Sequence, residues 1–538
     1  THPHSPRLWG SAATVLFCLV ALIGSRTVGD YGLTWDERFR FEGGDVKLAY
    51  YKELFGGGSP ERQNSNYPGL FDLPLALAHD AFPDWGTRSQ KGHVWSLCFG
   101  LLGLLSVWRM TARIGGERAG FWALLFLATL PRYYGHMFFN PKDIPLAGTY
   151  AFGCWALVAL FGKVSAPTWR QVLWIGLAAG LALSCRIAGL LVLAYFALFV
   201  GIYLLYKYTA GRGRPAALPR EFGLWALRGA VSGVVAFAVL FVFWPKLHAH
   251  PFAAVGSSVQ DAQSFGWGGM VLMDHHFWEA QDLPVYYLPY WLFRTVPEHL
   301  LLLAGLGGLV GALSLYALVR SGQRPEPEAW LPRLLLAFAG VFPVAYIVCQ
   351  DPVMYDGMRH ILFAVVPLVA LAALALEWCL RRAAAGPIRW LPGAIQGVAL
   401  FAAAIVAYEM LRLHPYQYVY FNKMSGGLPA AYMRDETDYW GLSHKEAGEW
   451  LNDYIKTIDP DGDKVYKVHQ RYSRWMLKEA LDPERFEMWQ PREGADFFVS
   501  VTRFNLHTSY PEAELIHTVE RLGTPLCFIY QFNDSLAE

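Results

Sequence analysis

Residues 8–38 read LWGSAATVLFCLVALIGSRTVGDYGLTWDER. The first eighteen are apolar or small, close to the ~20 residues a helix needs to cross a bilayer. The stretch then breaks at Arg26 and ends on an acidic pair, Asp36-Glu37. It has no small-residue cleavage site before Arg26, so it reads as a span rather than a leader. Carboxylates this close to a span are costly unless they are solvated or used.

The same apolar signal recurs along the chain. Eleven windows are expected as spans: 8–25, 94–112, 119–131, 144–162, 171–185, 188–206, 223–243, 299–319, 332–349, 360–380 and 391–411. The third and fifth are short, which fits tilted, broken or re-entrant helices. Composition agrees. Apolar residues make up 54% of the 538 residues and charged residues 17%, well below the usual quarter of a soluble domain. This excludes a disordered chain and argues against an ordinary soluble enzyme.

The net charge of +1 hides a split. Residues 412–538 hold 14 Lys/Arg and 20 Asp/Glu, and the first 411 residues hold 31 and 24. The chain is read as a membrane body, 1–411, followed by a soluble α/β domain, 412–538. Neither part has the charge of a nucleic-acid-binding protein. Fifteen basic residues fall in five short loops: Arg109/Arg113/Arg118, Lys163/Arg170, Lys207/Arg212/Arg214/Arg220, Arg320/Arg324/Arg333 and Arg381/Arg382/Arg389. These loops are expected on the cytoplasmic side. The N-terminus is then cytoplasmic. The long loops 26–93 and 244–298 and the tail face outward.

The chemistry-bearing residues collect in the outer loops. In the first, Asp36 suits a general base, and the bland alternative is an N-capping turn at Thr34 or Asp36. Asp36–Phe55 and Asn66–His79 are expected as helices on the membrane surface. The second outer loop, PRYYGHMFFNPKDIP (131–145), gathers Arg132, His136, Asn140, Lys142 and Asp143. Arg186 lies between two short spans, and QDPVMYDGMRH (350–360) carries Tyr355, Asp356, Arg359 and His360. Arginine suits phosphate because its planar fork gives bidentate charge-assisted bonds. Trp278, Tyr286, Tyr287, Tyr290 and Trp291 suit either an interfacial belt or the rim of a lipid or sugar entrance. His248/His250 and Asp274/His275/His276 lack a diagnostic metal spacing and read as interfacial. In the tail, Ser443–Ile458 has helical periodicity, and 464–468, 496–501 and 526–532 are strand-like.

These motifs resemble the GT-C membrane glycosyltransferases, with the closer likeness to the protein O-mannosyltransferase and lipid A aminoarabinose transferase branch (family 39-like). Trp-Asp36-Glu37 resembles the family's first-loop acidic motif, and Arg132…Asn140-Pro-Lys-Asp143 resembles the second. DPVMYDGMRH (351–360) resembles a late outer loop of bacterial members, and YMRDETDYWG (432–441) resembles a segment after their last span. The resemblance implies an all-α polytopic membrane protein of about 11 transmembrane helices with a small C-terminal α/β extracytoplasmic domain. It implies an inverting enzyme of the bacterial inner membrane, moving a sugar from a polyprenyl-phosphate donor to a lipid, glycan or protein acceptor on the outer side.

Asp36, Glu37 and Asp143 are the expected catalytic residues, with Asp36 as base. Arg132, Lys142, Arg186 and Arg359 are expected on the donor phosphate, and His136, Asn140, Tyr355 and His360 on substrate. A divalent cation (magnesium or manganese) on Asp36 and Asp143 is left open, because lysine or arginine can take its place. The competing readings are a lipid or sugar-lipid flippase, which calls for charges midway through spans, and a non-catalytic membrane assembly protein.

Overall fold

The computed structural model describes residues 6–61, 65–264 and 266–532. Several helix starts follow from the sequence. Thr34, Thr87 and Thr168 each begin a helix with a reciprocal capping box, closed by Glu37, Gln90 and Gln171.

Among the described residues, nine helices are long and apolar enough to cross a membrane: 7–27, 88–115, 143–161, 187–209, 215–243, 298–318, 327–350, 359–385 and 391–413. The third and fifth expected spans are shorter. One is the 12-residue helix Glu117–Ala128, which breaks at Leu130-Pro131 before Pro131–Phe139. The other is the 15-residue helix Trp169–Leu183. Both still carry the chain from one end of the body to the other. Gly115 and Arg118 contact Arg381 and Glu377 at one end, while Asn140 and Lys142 meet Asp143 and Asp36 at the other. Arg186, just after 169–183, returns to Asp143 at that same end.

The charged loops separate accordingly. At the end away from Asp36, Arg118 and Arg381 share Glu377, Lys207 holds Glu221, and Arg212 holds Glu326. Burial ranks the helices. The most apolar window of 143–161 is 89% buried and that of 359–385 is 78%, against 6% for 298–318. The two central helices therefore project Asp143 and Arg359 from their first residues, while outer helices present leucine to their surroundings. Small residues allow the central packing. A Cβ on Gly148 would lie 2.2 Å from the Phe99 carbonyl oxygen, so only glycine lets 143–161 approach 88–115 this closely.

In the first long loop, Trp35–Phe55 and Asp72–Ala81 are helices. The first has an inverted pattern. Asp36, Glu37, Arg40 and Lys47 are buried, while Phe39, Val46 and Phe55 are exposed. The inward charges are paired: Asp72 is bridged by Arg40 at 2.7 Å and Lys47 at 2.9 Å.

After residue 413 the chain runs through an irregular, buried stretch that includes Tyr416, Tyr418, Phe421, Tyr439 and Trp440. The helix His444–Ile458 follows, with Ala447, Leu451 and Ile455 inward at i, i+4 and i+8. A hairpin in the second long loop pairs β1 (Met270–Met273) with β2 (His276–Glu279). The C-terminal sheet contains β3 (Tyr466–His469), β4 (Phe486–Trp489), β5 (Phe497–Val501), β6 (Glu514–Arg521) and β7 (Thr524–Gln531), in the order β4-β3-β5-β7-β6. β3 runs parallel to β4 and β5, and β7 is antiparallel to β5 and β6.

Candidate active site

The site forms where the helix starts at Trp35, Asp143 and Arg359 converge. Lys142 Nζ donates to Asp36 Oδ1 at 2.9 Å. Arg359 Nη1 lies 3.0 Å from Asp143 Oδ2 and 3.9 Å from Asp36 Oδ2, so one guanidinium bridges the two carboxylates. Arg186 Nη1 reaches Asp143 Oδ1 at 3.0 Å. Asp36, Asp143 and Arg359 are buried. Burial alone pushes the Asp36 carboxyl up, but Lys142 and Arg359 beside it hold it below the usual carboxylate range. Asp36 Oδ2 makes no hydrogen bond among the described residues.

Asn140 and His136 form the layer behind Asp143. Asn140 Oδ1 accepts from the Lys142 and Asp143 backbone amides at 3.1 and 2.8 Å, and its Nδ2 donates to Asp143 Oδ2 at 3.1 Å. His136 places Nδ1 on Asn140 and Nε2 on the Tyr439 hydroxyl at 2.9 Å. Of the two residues expected on substrate, Asn140 bonds Asp143 directly and His136 sits between Asn140 and Tyr439.

Glu37, expected among the catalytic residues, has its contacts on the other side of the helix. It closes the capping box on Thr34 and lies 3.1 Å from His93. Adjacent helix residues point about 100° apart, so Glu37 faces away from Asp36's partners. Arg132 was expected on phosphate. It is buried between Trp291 and Phe421, each ring centroid 5.3 Å away, and its guanidinium makes no hydrogen bond among the described residues. Tyr287 and Trp291 are likewise buried, whereas Tyr286 is exposed. Tyr355 stacks on Trp267 at 4.4 Å and meets His360 edge-on at 4.8 Å. His248 bonds the Tyr50 hydroxyl, and Asp274 pairs with Arg434.

Three further residues complete the site. Asp356 Oδ2 accepts from Arg359 Nε and Trp440 Nε1, both at 3.0 Å, and its Oδ1 accepts from Arg503 Nη1 at 2.6 Å. Asp356 and Trp440 stand inside stretches that the sequence marks, but Arg503 carries no local signal. Glu436 lies 3.9 Å from Arg503, and burial pushes its carboxyl up to about 7 against the pull of that arginine.

A resident divalent cation does not fit the two carboxylates. Asp36 is engaged by lysine, and Asp143 by two arginines and an asparagine amide, whereas such ions want free oxygen ligands. Among the described residues, no group of three or more His, Cys, Asp or Glu is placed to hold a metal ion.

Residues 85–219 match the family model described as dolichyl-phosphate-mannose-protein mannosyltransferase. The archaeal oligosaccharyltransferase AglB from Archaeoglobus fulgidus, solved with an inhibitory peptide and a dolichol-phosphate, has a similar fold. The match covers 93% of this chain and 70% of that one, with 12% identity and a TM-score of 0.51. ArnT from Cupriavidus metallidurans aligns over 98% of both chains with 15% identity and a TM-score of 0.46. No curated protein sequence matches the chain. Residues 85–219 thus carry the pattern of a protein mannosyltransferase family model, and the described chain shares the fold of the archaeal oligosaccharyltransferase.

Proposed function

We propose that the chain transfers a sugar from a polyprenyl-phosphate donor to an acceptor hydroxyl or amine with inversion, on the extracytoplasmic side of a bacterial inner membrane, with Asp36 as general base. The observation that carries this reading is the division of the Asp36 carboxylate. Oδ1 is tied to Lys142, while Oδ2 is buried beside Arg359 with no hydrogen bond. A charged oxygen kept out of water with no hydrogen bond to satisfy it is a ready proton acceptor.

Charge supports an anionic donor. Lys142 and Arg186 are the more accessible cations at the site, with 16% and 23% side-chain exposure, and so are the ones open to a donor phosphate. The dolichol-phosphate bound by the Archaeoglobus enzyme is a ligand of this class. The fifteen basic loop residues at the opposite end support the outward orientation.

The reaction then needs few parts. The donor phosphate takes Lys142 and Arg186 as partners. Release of Lys142 from Asp36 raises the basicity of that carboxylate as the donor seats. The acceptor oxygen or nitrogen attacks the anomeric carbon from the face opposite the phosphate, and its proton passes to Asp36 Oδ2. The carbon–oxygen bond to phosphate breaks, and its electron pair leaves with the polyprenyl phosphate, whose growing charge the cations stabilise. Attack from the far face inverts the centre in one step.

The test is transfer from a radiolabelled polyprenyl-phosphate sugar by membranes holding wild type or Asp36→Asn. Loss of transfer on substitution is expected. Full transfer by Asp36→Asn overturns the base assignment, and lipid movement without transfer in wild type overturns the reaction.

A further inference from the structure

We propose that Arg503, supplied by the C-terminal sheet, is a positioning residue for glycosyl transfer: it clamps Asp356, and Asp356 aims the Arg359 guanidinium at Asp36 and Asp143. The inference rests on the transferase reading of the site above. It makes the C-terminal unit part of the active site rather than a cover over it.

The geometry is a chain of buried charges. Arg503 follows β5, and its Nη1 donates to Asp356 Oδ1 at 2.6 Å and to the Tyr439 carbonyl at 2.9 Å. The other Asp356 oxygen takes Arg359 Nε and Trp440 Nε1, so both carboxylate oxygens are held. Arg359 is thereby fixed at two corners, Nε by Asp356 and Nη1 by Asp143, each at 3.0 Å. Its faces are fixed as well, by Tyr355 at 4.7 Å and Trp440 at 5.0 Å. Trp440 thus both stacks on Arg359 and holds its carboxylate partner. Relative exposure is 2% for Asp356 and Arg359, 1% for Trp440 and 6% for Arg503, so water does not compete for these bonds.

Without Arg503, Asp356 Oδ1 loses its shortest partner inside a buried site, where an unpaired carboxylate oxygen is costly. The side chain would then be free to rotate and to take Arg359 Nε with it. Arg359 would drift from the line that bridges Asp36 and Asp143.

The backbone beside Arg503 is a second observation. Phe504 and Asn505 both lie in the left-handed region, with φ of +54° and +57°. Asparagine tolerates this conformation, but phenylalanine does so at a cost. The reversal returns the Phe504 ring to 5.0 Å from the Arg503 guanidinium. Local strain kept next to a buried functional contact is the pattern expected where placement of a side chain matters. Asp356 is itself left-handed, at φ +58°.

The experiment uses the full chain in lipid nanodiscs, as wild type, Arg503→Ala and Arg503→Lys. Donor and acceptor KM, kcat per folded molecule and amide hydrogen exchange across 351–361 are measured. Arg503→Ala is expected to lower kcat about 100-fold with acceptor KM little changed, the size of effect that follows an ångström-scale misplacement. Arg503→Lys and added methylguanidinium should each restore part of the rate, and exchange across 351–361 should accelerate in the alanine variant. A rate for Arg503→Ala equal to wild type, with wild type active, overturns the proposal. If wild type shows no transfer, the reaction assignment has failed, and exchange alone decides the clamp: unchanged protection across 351–361 overturns it.

Discussion

Lys142 and Asp36 form a 2.9 Å ion pair through one carboxylate oxygen, and the second oxygen lies 3.9 Å from Arg359 with no hydrogen bond among the described residues. The lysine precedes a central helix and the aspartate opens a surface-loop helix, so the contact locks the two parts of the site together. It also favours the ionised form of Asp36, whose carboxyl is held below its ordinary range by Lys142 and Arg359 although burial pushes it upward.

Replacement of Lys142 by Met should move the acid limb of the rate–pH profile to higher pH. The lysine favours the ionised carboxylate, so its loss raises the Asp36 pKa toward the value burial alone would give. Donor KM should rise in the same variant. An unmoved acid limb, read from kcat/KM between pH 4 and 8 (a window about the ordinary carboxylate and histidine ranges), would count against Asp36 as the titrating base.

Glu37→Gln should keep transfer within a few-fold of wild type and lower the thermal midpoint. Glu37 serves the Thr34 cap and His93 rather than the reacting centre. Losing such a cap costs about 1 kcal/mol. A large fall in kcat with an unchanged melting temperature would restore Glu37 to the chemistry.

Arg186 is the more accessible of the two Asp143 arginines, with 23% side-chain exposure against 2% for Arg359. Arg186→Ala should therefore fold and show a raised donor KM. Arg359→Ala strips a partner from both Asp143 and Asp356 and should lose about 3–5 kcal/mol of stability, as breaking a buried ion pair does. Thermal unfolding of the two variants checks the difference.

Glu436 predicts a pH-dependent stability difference. Its folded pKa of about 7 lies above the unfolded value, so the folded state binds the extra proton between the two. Stability from this group is full at low pH and declines as pH rises from about 4.3 toward 7. Glu436→Gln should match wild type near pH 4 and exceed it above pH 7. Parallel melting curves at every pH would contradict the raised pKa.

Chelation should leave transfer within about two-fold of the untreated enzyme, because the acidic residues already have lysine and arginine partners where a hard cation would need free oxygens. A loss restored by added magnesium or manganese would show that these pairs open to admit an ion.

Much of this arrangement follows from local pattern. Apolar windows placed the long helices, because a span must bury about 20 residues of side chain whatever its neighbours are. The two windows too short for that became the broken helix pair 117–139 and the helix 169–183. The basic loops came out at one end. Asp36, Lys142, Asp143, Arg186 and Arg359 stood out because a charge at the edge of a span needs a reason. The strand-like runs of the tail became β3, β5 and β7 within a residue or two.

What tertiary structure alone decided are the partners. Asp36 meets Lys142 across 106 positions, Arg359 meets Asp143 across 216, and Arg503 meets Asp356 across 147. Periodicity reports which face of an element is apolar, but it carries no information on which distant charge a buried one will find. The same limit hid the partners of Glu37, which are Thr34 and His93, those of Asn140, which are His136 and Asp143, and those of His136, which are Asn140 and Tyr439. It also hid Arg503, one of several arginines in a tail of soluble composition, which only the docking of the C-terminal sheet brings to Asp356.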